Sequence, residues 1–243
     1  MKRVFVDRIA SACGELGICL SEVQLEQFYQ YYELLIERNK VMNLTAITEW
    51  EDVIYKHFID SLSLVKVESI LEDSNKHFID VGTGAGFPGI PLKIAFPDIT
   101  VTLLDSLNKR VGFLGEVIDS LGLSEITAVH GRAEDLGRDK NYREKFDLCV
   151  SRAVANIATL AEYCLPFVKV GGRFVSYKSG KVEEELEKGR KAIKILGGEI
   201  QLLEKFILTG TEAERDLVVI RKVKNTEKRY PRKAGLPGKE PIG

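Results

Sequence analysis

The residues best placed to do chemistry stand together in Asp80-Val81-Gly82-Thr83-Gly84-Ala85-Gly86, with Gly89 close behind. Glycines let a backbone turn with positive φ and let a ligand approach without meeting a Cβ. A carboxylate closes a second apolar run at Leu103-Leu104-Asp105, and a third run is followed by Gly131-Arg132-Ala133-Glu134-Asp135. An acid in the second position can hold a ribose diol, and one in the third can reach an adenine edge, so the set describes a nucleoside pocket. A dinucleotide needs its pyrophosphate seated where Gly-x-Gly-x-x-Gly runs straight into a helix. Here Pro88 and Pro91 delay that helix and widen the turn. A wide turn favours a linkage without a pyrophosphate, that of S-adenosylmethionine, over a dinucleotide, with Asp80 meeting the ammonium group directly or through water. Gly-x-x-x-x-Gly-Lys-Ser/Thr is absent, which disfavours a nucleotide-hydrolysing loop.

Three histidines, His57, His77 and His130, are too dispersed to form a metal or general-base constellation, so neither a metal site nor a proton-abstracting base is expected. Cys13, Cys19, Cys149 and Cys164 form no Cys-x-x-Cys pair, and Cys149 and Cys164 read as buried packing residues. After the fourth apolar run the chain reads Val150-Ser151-Arg152-Ala153, where methyltransferases acting on amino groups carry Asn/Asp-Pro-Pro-aromatic. No Pro-Cys or Thr-Cys nucleophile is present either.

These residues need a frame. From His77 onward, short apolar runs (77–81, 99–104, 126–129, 146–150, 173–177, 200–206, 217–221) alternate with helical segments (90–96, 108–121, 156–163, 181–196). That alternation predicts a Rossmann-like α/β fold, a seven-stranded, mostly parallel sheet whose last two strands pair antiparallel. Upstream, Ser21 and Gln24 make a capping box before Leu25, Phe28, Tyr29, Tyr32, Leu35 and Ile36 at helical spacing. With weaker helices over 4–15 and 49–64, this predicts an N-terminal helical extension over 1–75, a binding domain over 76–224 and an irregular tail over 225–243. The aromatic stripe of 28, 29 and 32 is expected to pack the extension on the sheet.

The chain has 243 residues, 44% hydrophobic and 29% charged, the proportions of a folded, water-soluble protein. Asp7 and Arg8 interrupt any leader-like run, and no stretch approaches the roughly 18 apolar residues of a membrane span, so a cytoplasmic protein is expected. The net charge of −1 hides an asymmetry: from Arg221 to Gly243 eight basic residues stand against Glu227 and Glu240, a charge of +6. Such an end is a candidate handle for a polyanion, or simply a solubilising terminus.

Met42-Asn43-Leu44-Thr45-Ala46-Ile47, His57 through Leu62, Asp80 through Ile90, Leu104-Asp105-Ser106 with Lys109-Arg110, Ser151-Arg152-Ala153 and Tyr230 through Lys233 together resemble the RsmG family, also called glucose-inhibited division protein B. The resemblance covers nearly the whole chain. It implies a class I methyltransferase that moves a methyl group from S-adenosylmethionine to N7 of one guanine in 16S RNA of the small ribosomal subunit. It also implies cofactor contacts at Gly82, Phe87, Ala133, Glu134 and Arg152, beside Asp80, Gly84 and Asp105 read from the turns. Guanine N7 carries a free lone pair, so positioning alone is expected to drive transfer, with no catalytic residue beyond a possible Arg152 toward the cofactor carboxylate or guanine O6. Lys109, Arg110, Lys178, Arg229, Arg232 and Lys233 are the candidate phosphate contacts, with Tyr230 as a possible stacking platform. Two rival readings are a small-molecule methyltransferase of the same fold and a non-catalytic RNA-binding assembly protein.

Overall fold

The computed structural model describes residues 1–68, 76–152, 155–180 and 182–243; Ala153, Lys181 and the last residues of the expected extension lie outside them. Two helices, α1 (Lys2–Glu15) and α2 (Glu22–Met42), open the chain. The capping box forms as expected: Gln24 N–H donates to Ser21 Oγ at 3.3 Å and Ser21 N–H to Gln24 Oε1 at 2.8 Å. A third helical stretch changes pitch along its length, from α3 (Trp50–Val53) through a π-helical turn (Ile54–Ile59) to α4 (Asp60–Leu62). Such wide turns concentrate at functional sites because they re-aim successive side chains.

Seven strands follow: β1 (His77–Val81), β2 (Thr100–Asp105), β3 (Ile126–His130), β4 (Phe146–Ser151), β5 (Val168–Lys178), β6 (Gly198–Ile207) and β7 (Glu214–Lys222). Their order is β3-β2-β1-β4-β5-β7-β6, with the first five parallel and β7 antiparallel to both its neighbours. The last two strands do pair antiparallel, and β7 lies inside the sheet while β6 takes the edge. Helices α5 (Gly89–Ala95), α6 (Asn108–Ser120), α7 (Ala133–Leu136), α8 (Ile157–Cys164) and α9 (Val182–Ile195) make the crossovers or cover the faces. Side chains alternate across the pleat. Phe78, Leu103, Val175 and Val219 join the core beneath the N-terminal helices, whereas Ile79, Leu104, Phe174 and Val218 join the core under α8 and α9. The stripe of Phe28, Tyr29 and Tyr32 is buried there as expected, together with Tyr31.

The tail is not loose. It carries a short helix, α10 (Leu236–Lys239), and is tied to the body along its length. Arg143 donates to the carbonyls of Thr226, Glu227 and Tyr230, Arg138 to those of Arg229 and Pro231, and Thr159 Oγ1 to that of Pro237. Glycine and proline spacing suggests irregularity because it records no partners, and the partners come from segments more than 70 residues away in sequence.

Candidate active site

In a parallel sheet whose strand order reverses, ligands bind at the carboxyl ends of the strands beside the reversal, here between β1 and β4. The glycine-rich turn sits at that point. Gly82 and Thr83 N–H donate to Leu104 O at 2.9 and 3.2 Å, locking the turn to β2. Gly84 has φ +64°, and its N–H donates to Asp105 Oδ2 at 2.9 Å. Gly86 has φ +105°, and a Cβ there would strike Ile90 and the Tyr31 hydroxyl. That hydroxyl donates to Ala85 O, so a tyrosine of α2 braces the turn from behind.

Asp80 is the buried keystone of the turn rather than a wall of the cleft above it. Its Oδ2 accepts from Thr83 Oγ1 at 2.7 Å and Gly89 N–H at 2.9 Å, while Oδ1 is buried and has no partner among the described residues. Burial pushes its pKa up to about 6, partly countered by those two hydrogen bonds.

Two clefts flank the carboxyl end of β4 and share Ala155 and Asn156. The first, about 770 Å³, is lined by Gly82, Asp105, Ala133 and Glu134, and also by Gly235 and Gly238 of the tail. The structure gathers these four expected residues from three successive strand ends into one hollow. Asp105 Oδ1 accepts from Leu107 N–H at 2.9 Å, and Arg110 stands 3.5 Å from Oδ2. Glu134 Oε1 accepts from Gly235 N–H at 2.7 Å. Each carboxylate retains lone pairs for a bound ligand. The carboxylate and glycine set fits an adenosine-bearing cofactor, and the orphaned Asp80 Oδ1 leaves an acceptor beneath the turn for a cationic or water-bridged donor.

Arg152 lines the second cleft instead, about 690 Å³, with His57, Asp60, Lys178 and Arg215. Its Nη1 donates to Asp60 Oδ2 at 2.7 Å, and its guanidinium lies 5.0 Å from the centre of the Phe87 ring. Phe87 is stacked on His57 at 4.5 Å. Arg152 Nη2 approaches His57 Nδ1 at 3.4 Å and can only donate, so the imidazole proton sits on Nε2, toward Thr45 Oγ1 at 2.8 Å. Burial, reinforced by the charge of Arg152, lowers the His57 pKa to about 3, which keeps the ring neutral. His57 is therefore a packing and hydrogen-bonding residue.

The candidate phosphate contacts divide. Lys109 and Lys233 are exposed. Arg110 faces Asp105 in the first cleft. Lys178 donates to Ala155 O and to Glu185 Oε1 at 2.6 Å. Arg229 pairs with Glu227 at 3.0 Å and lies over the Tyr230 ring. Arg232 is a structural anchor: its backbone and guanidinium hold both oxygens of Glu162, whose side chain is 0% exposed. The expected stacking role of Tyr230 is corrected too, since that ring is buried in the core under α8 and α9. Sequence reasoning missed Tyr31, Glu162 and Arg215, whose partners carry no local signal.

The model of the family described as rRNA small subunit methyltransferase G matches residues 24–218. The chain belongs to that family. A relative so named from Lachnoclostridium phytofermentans is 58% identical over 227 residues, 93% of each chain. Another, from Desulforamulus reducens, is 53% identical over 96% of this chain and 97% of its own. Among solved structures, NSun6 from Pyrococcus horikoshii with SFG aligns at a TM-score of 0.55 and 15% identity over 75% of this chain and 57% of that one. M. jannaschii TYW2 in complex with AdoMet aligns at a TM-score of 0.52 and 15% identity, over 68% of this chain and 77% of that one. These two likenesses speak for the fold of a class I methyltransferase. Among the described residues no helix is long and apolar enough to cross a membrane, and no group of three or more His, Cys, Asp or Glu side chains could hold a metal ion.

Proposed function

We infer that the protein is an S-adenosylmethionine-dependent methyltransferase acting in the cytoplasm on N7 of a guanine in 16S RNA of the small ribosomal subunit. One observation carries the reading for this family member: Gly82, Asp105, Ala133 and Glu134 converge in a single cleft at the strand-order reversal. When bound, S-adenosylmethionine supplies a sulfonium methyl whose S–C bond breaks as the C–N7 bond forms, leaving a thioether and a cationic purine. The chain's own part is positional. Asp105 offers its remaining lone pairs to a ribose diol, and Glu134 with the α7 backbone borders the base. Nearby, the neutral His57 ring and Phe87 form a stacked pair on which Arg152 rests. No proton leaves N7, so the transfer asks for no general base.

Mass mapping of 16S RNA from cells with and without the gene tests this. A single guanine that gains one methyl group only when the gene is present is the expected result; an unchanged RNA would overturn it. Replacement of Arg152 by alanine is expected to lower kcat/KM at least tenfold, the loss of one charge-assisted contact.

A further inference from the structure

The second cleft has no assigned occupant. Its charge sets it apart from its neighbour: the first is lined by Asp105 and Glu134 against Arg110 and Arg132, which cancel. The second is lined by Lys56, Arg152, Lys178 and Arg215 against Asp60 and Glu185, a surplus of +2 with His57 neutral. Local pairing removes part of this, because Lys56 meets Asp52 at 2.8 Å and Lys178 meets Glu185 at 2.6 Å. What remains is one carboxylate between two guanidinium groups. Asp60, at the exit of the π-helical turn, accepts from Arg152 Nη1 at 2.7 Å through Oδ2 and from Arg215 Nε at 2.8 Å through Oδ1. Both its oxygens are engaged and its side chain is 6% exposed. Arg152 Nε and Arg215 Nη2 find no acceptor among the described residues.

We propose that this second cleft seats the acceptor guanosine with its phosphate, and that Asp60 is a positioning residue presenting Arg152 and Arg215 to it. The proposal rests on the reading given under Proposed function. A guanosine nucleotide brings what the cleft lacks, an anionic phosphate and the O6 acceptor of the Hoogsteen edge. A volume of about 690 Å³ accommodates one nucleotide, which would reach it extruded from its strand. The division of labour follows from tethering. Arg152 is held by Asp60, by the carbonyls of Lys56 and His57, and by the Phe87 ring, so it is the rigid donor that orients O6. Arg215 is held through Nε and through Nη1 on Glu214 O, so its remaining edge takes phosphate. Asp60 also keeps the two like charges from separating, and it does so from the N-terminal extension, which gives that extension a role at the site.

The test reads binding and needs no turnover. Binding of guanosine 5′-monophosphate and of 16S RNA to the full-length protein is measured by titration, alongside S-adenosylmethionine binding, for wild type, Arg215→Ala, Arg215→Lys and Asp60→Asn. Arg215→Ala and Asp60→Asn are expected to weaken both nucleotide ligands about tenfold, the size of one lost charge-assisted contact, while S-adenosylmethionine affinity stays within about twofold. Arg215→Lys is expected to recover most of the phosphate affinity at low salt. Wild-type RNA affinity in Arg215→Ala overturns the proposal. So does an equal loss of cofactor and nucleotide binding, which would make Asp60 a support of the first cleft only. If Asp60→Asn does not fold, the two Arg215 variants decide alone. RNA left unmethylated by the wild type, with nucleotide binding still dependent on Arg215, would fault the function and spare the cleft.

Discussion

The two ends of the chain clasp the same sheet by different physics. At the amino end Phe5, Phe28, Tyr31 and Phe58 interlock, with Phe28–Phe58 and Tyr31–Phe58 ring centres 5.1 and 5.5 Å apart. At the carboxyl end Arg138, Arg143 and Arg232 bind backbone carbonyls and a buried carboxylate. The first clasp draws mainly on packed volume, with the Tyr31 hydroxyl and the Asp60 carboxylate as polar ties. The second depends on directed hydrogen bonds, and each anchor left unmatched exposes a buried polar group to an apolar surrounding. The amino end thereby fixes the second cleft and the carboxyl end finishes the first.

Four experiments can break this contrast. Phe58→Ala removes the ring at the centre of the aromatic cluster and is expected to cost about 3–5 kcal/mol in denaturant unfolding, with nucleotide binding impaired before cofactor binding. Arg232→Ala leaves Glu162 buried without its guanidinium. Since Arg232 is partly exposed, the expected cost is lower, about 2 kcal/mol, and its signature is protease cleavage within 225–243 together with weaker S-adenosylmethionine binding. An unchanged cleavage pattern would remove the tail's anchor from the account.

Acid and alkali sharpen the comparison. His57 keeps its neutral form to about pH 3, whereas in the unfolded chain it takes a proton below its ordinary value of 6.5. Stability is therefore lost as pH falls from 6.5 toward 3, by about 1.4 kcal/mol per unit, or roughly 2 kcal/mol by pH 5. Asp80, whose pKa is raised to about 6, opposes this, so the wild type is compared with His57→Asn, in which the acid slope is expected to flatten. Lys222 behaves oppositely at the carboxyl end. It is buried against Leu165 O and Thr226 Oγ1, and burial lowers its pKa from 10.5 to about 8. The folded chain sheds that proton first, so stability rises from pH 8 toward 10.5, by about 1 kcal/mol over the first unit. Lys222→Met should abolish that rise.

What was legible in the sequence was local. The turn at Asp80–Gly86 and the acids Asp105 and Glu134 stand at strand ends, and strand ends are marked by apolar periodicity and glycine. The capping box at Ser21 was legible for the same reason. Pairings across long separations were not: Tyr31 with Ala85, Arg232 with Glu162 and Arg215 with Asp60 span 54, 70 and 155 residues. Each is made by the fold and leaves no spacing to read. The surplus of basic residues in the tail was a fair reading of formal charge. Charge totals carry no information about partners, however, and both Arg232 and Lys222 are committed internally.

One hydrogen bond closes a cleft from far along the chain. Because Gly235 N–H meets Glu134 and Gly238 borders the same hollow, the first cleft takes part of its rim from a segment 101 residues further along the chain. Removing residues 234–239 would leave every strand in place and that hollow open on one side.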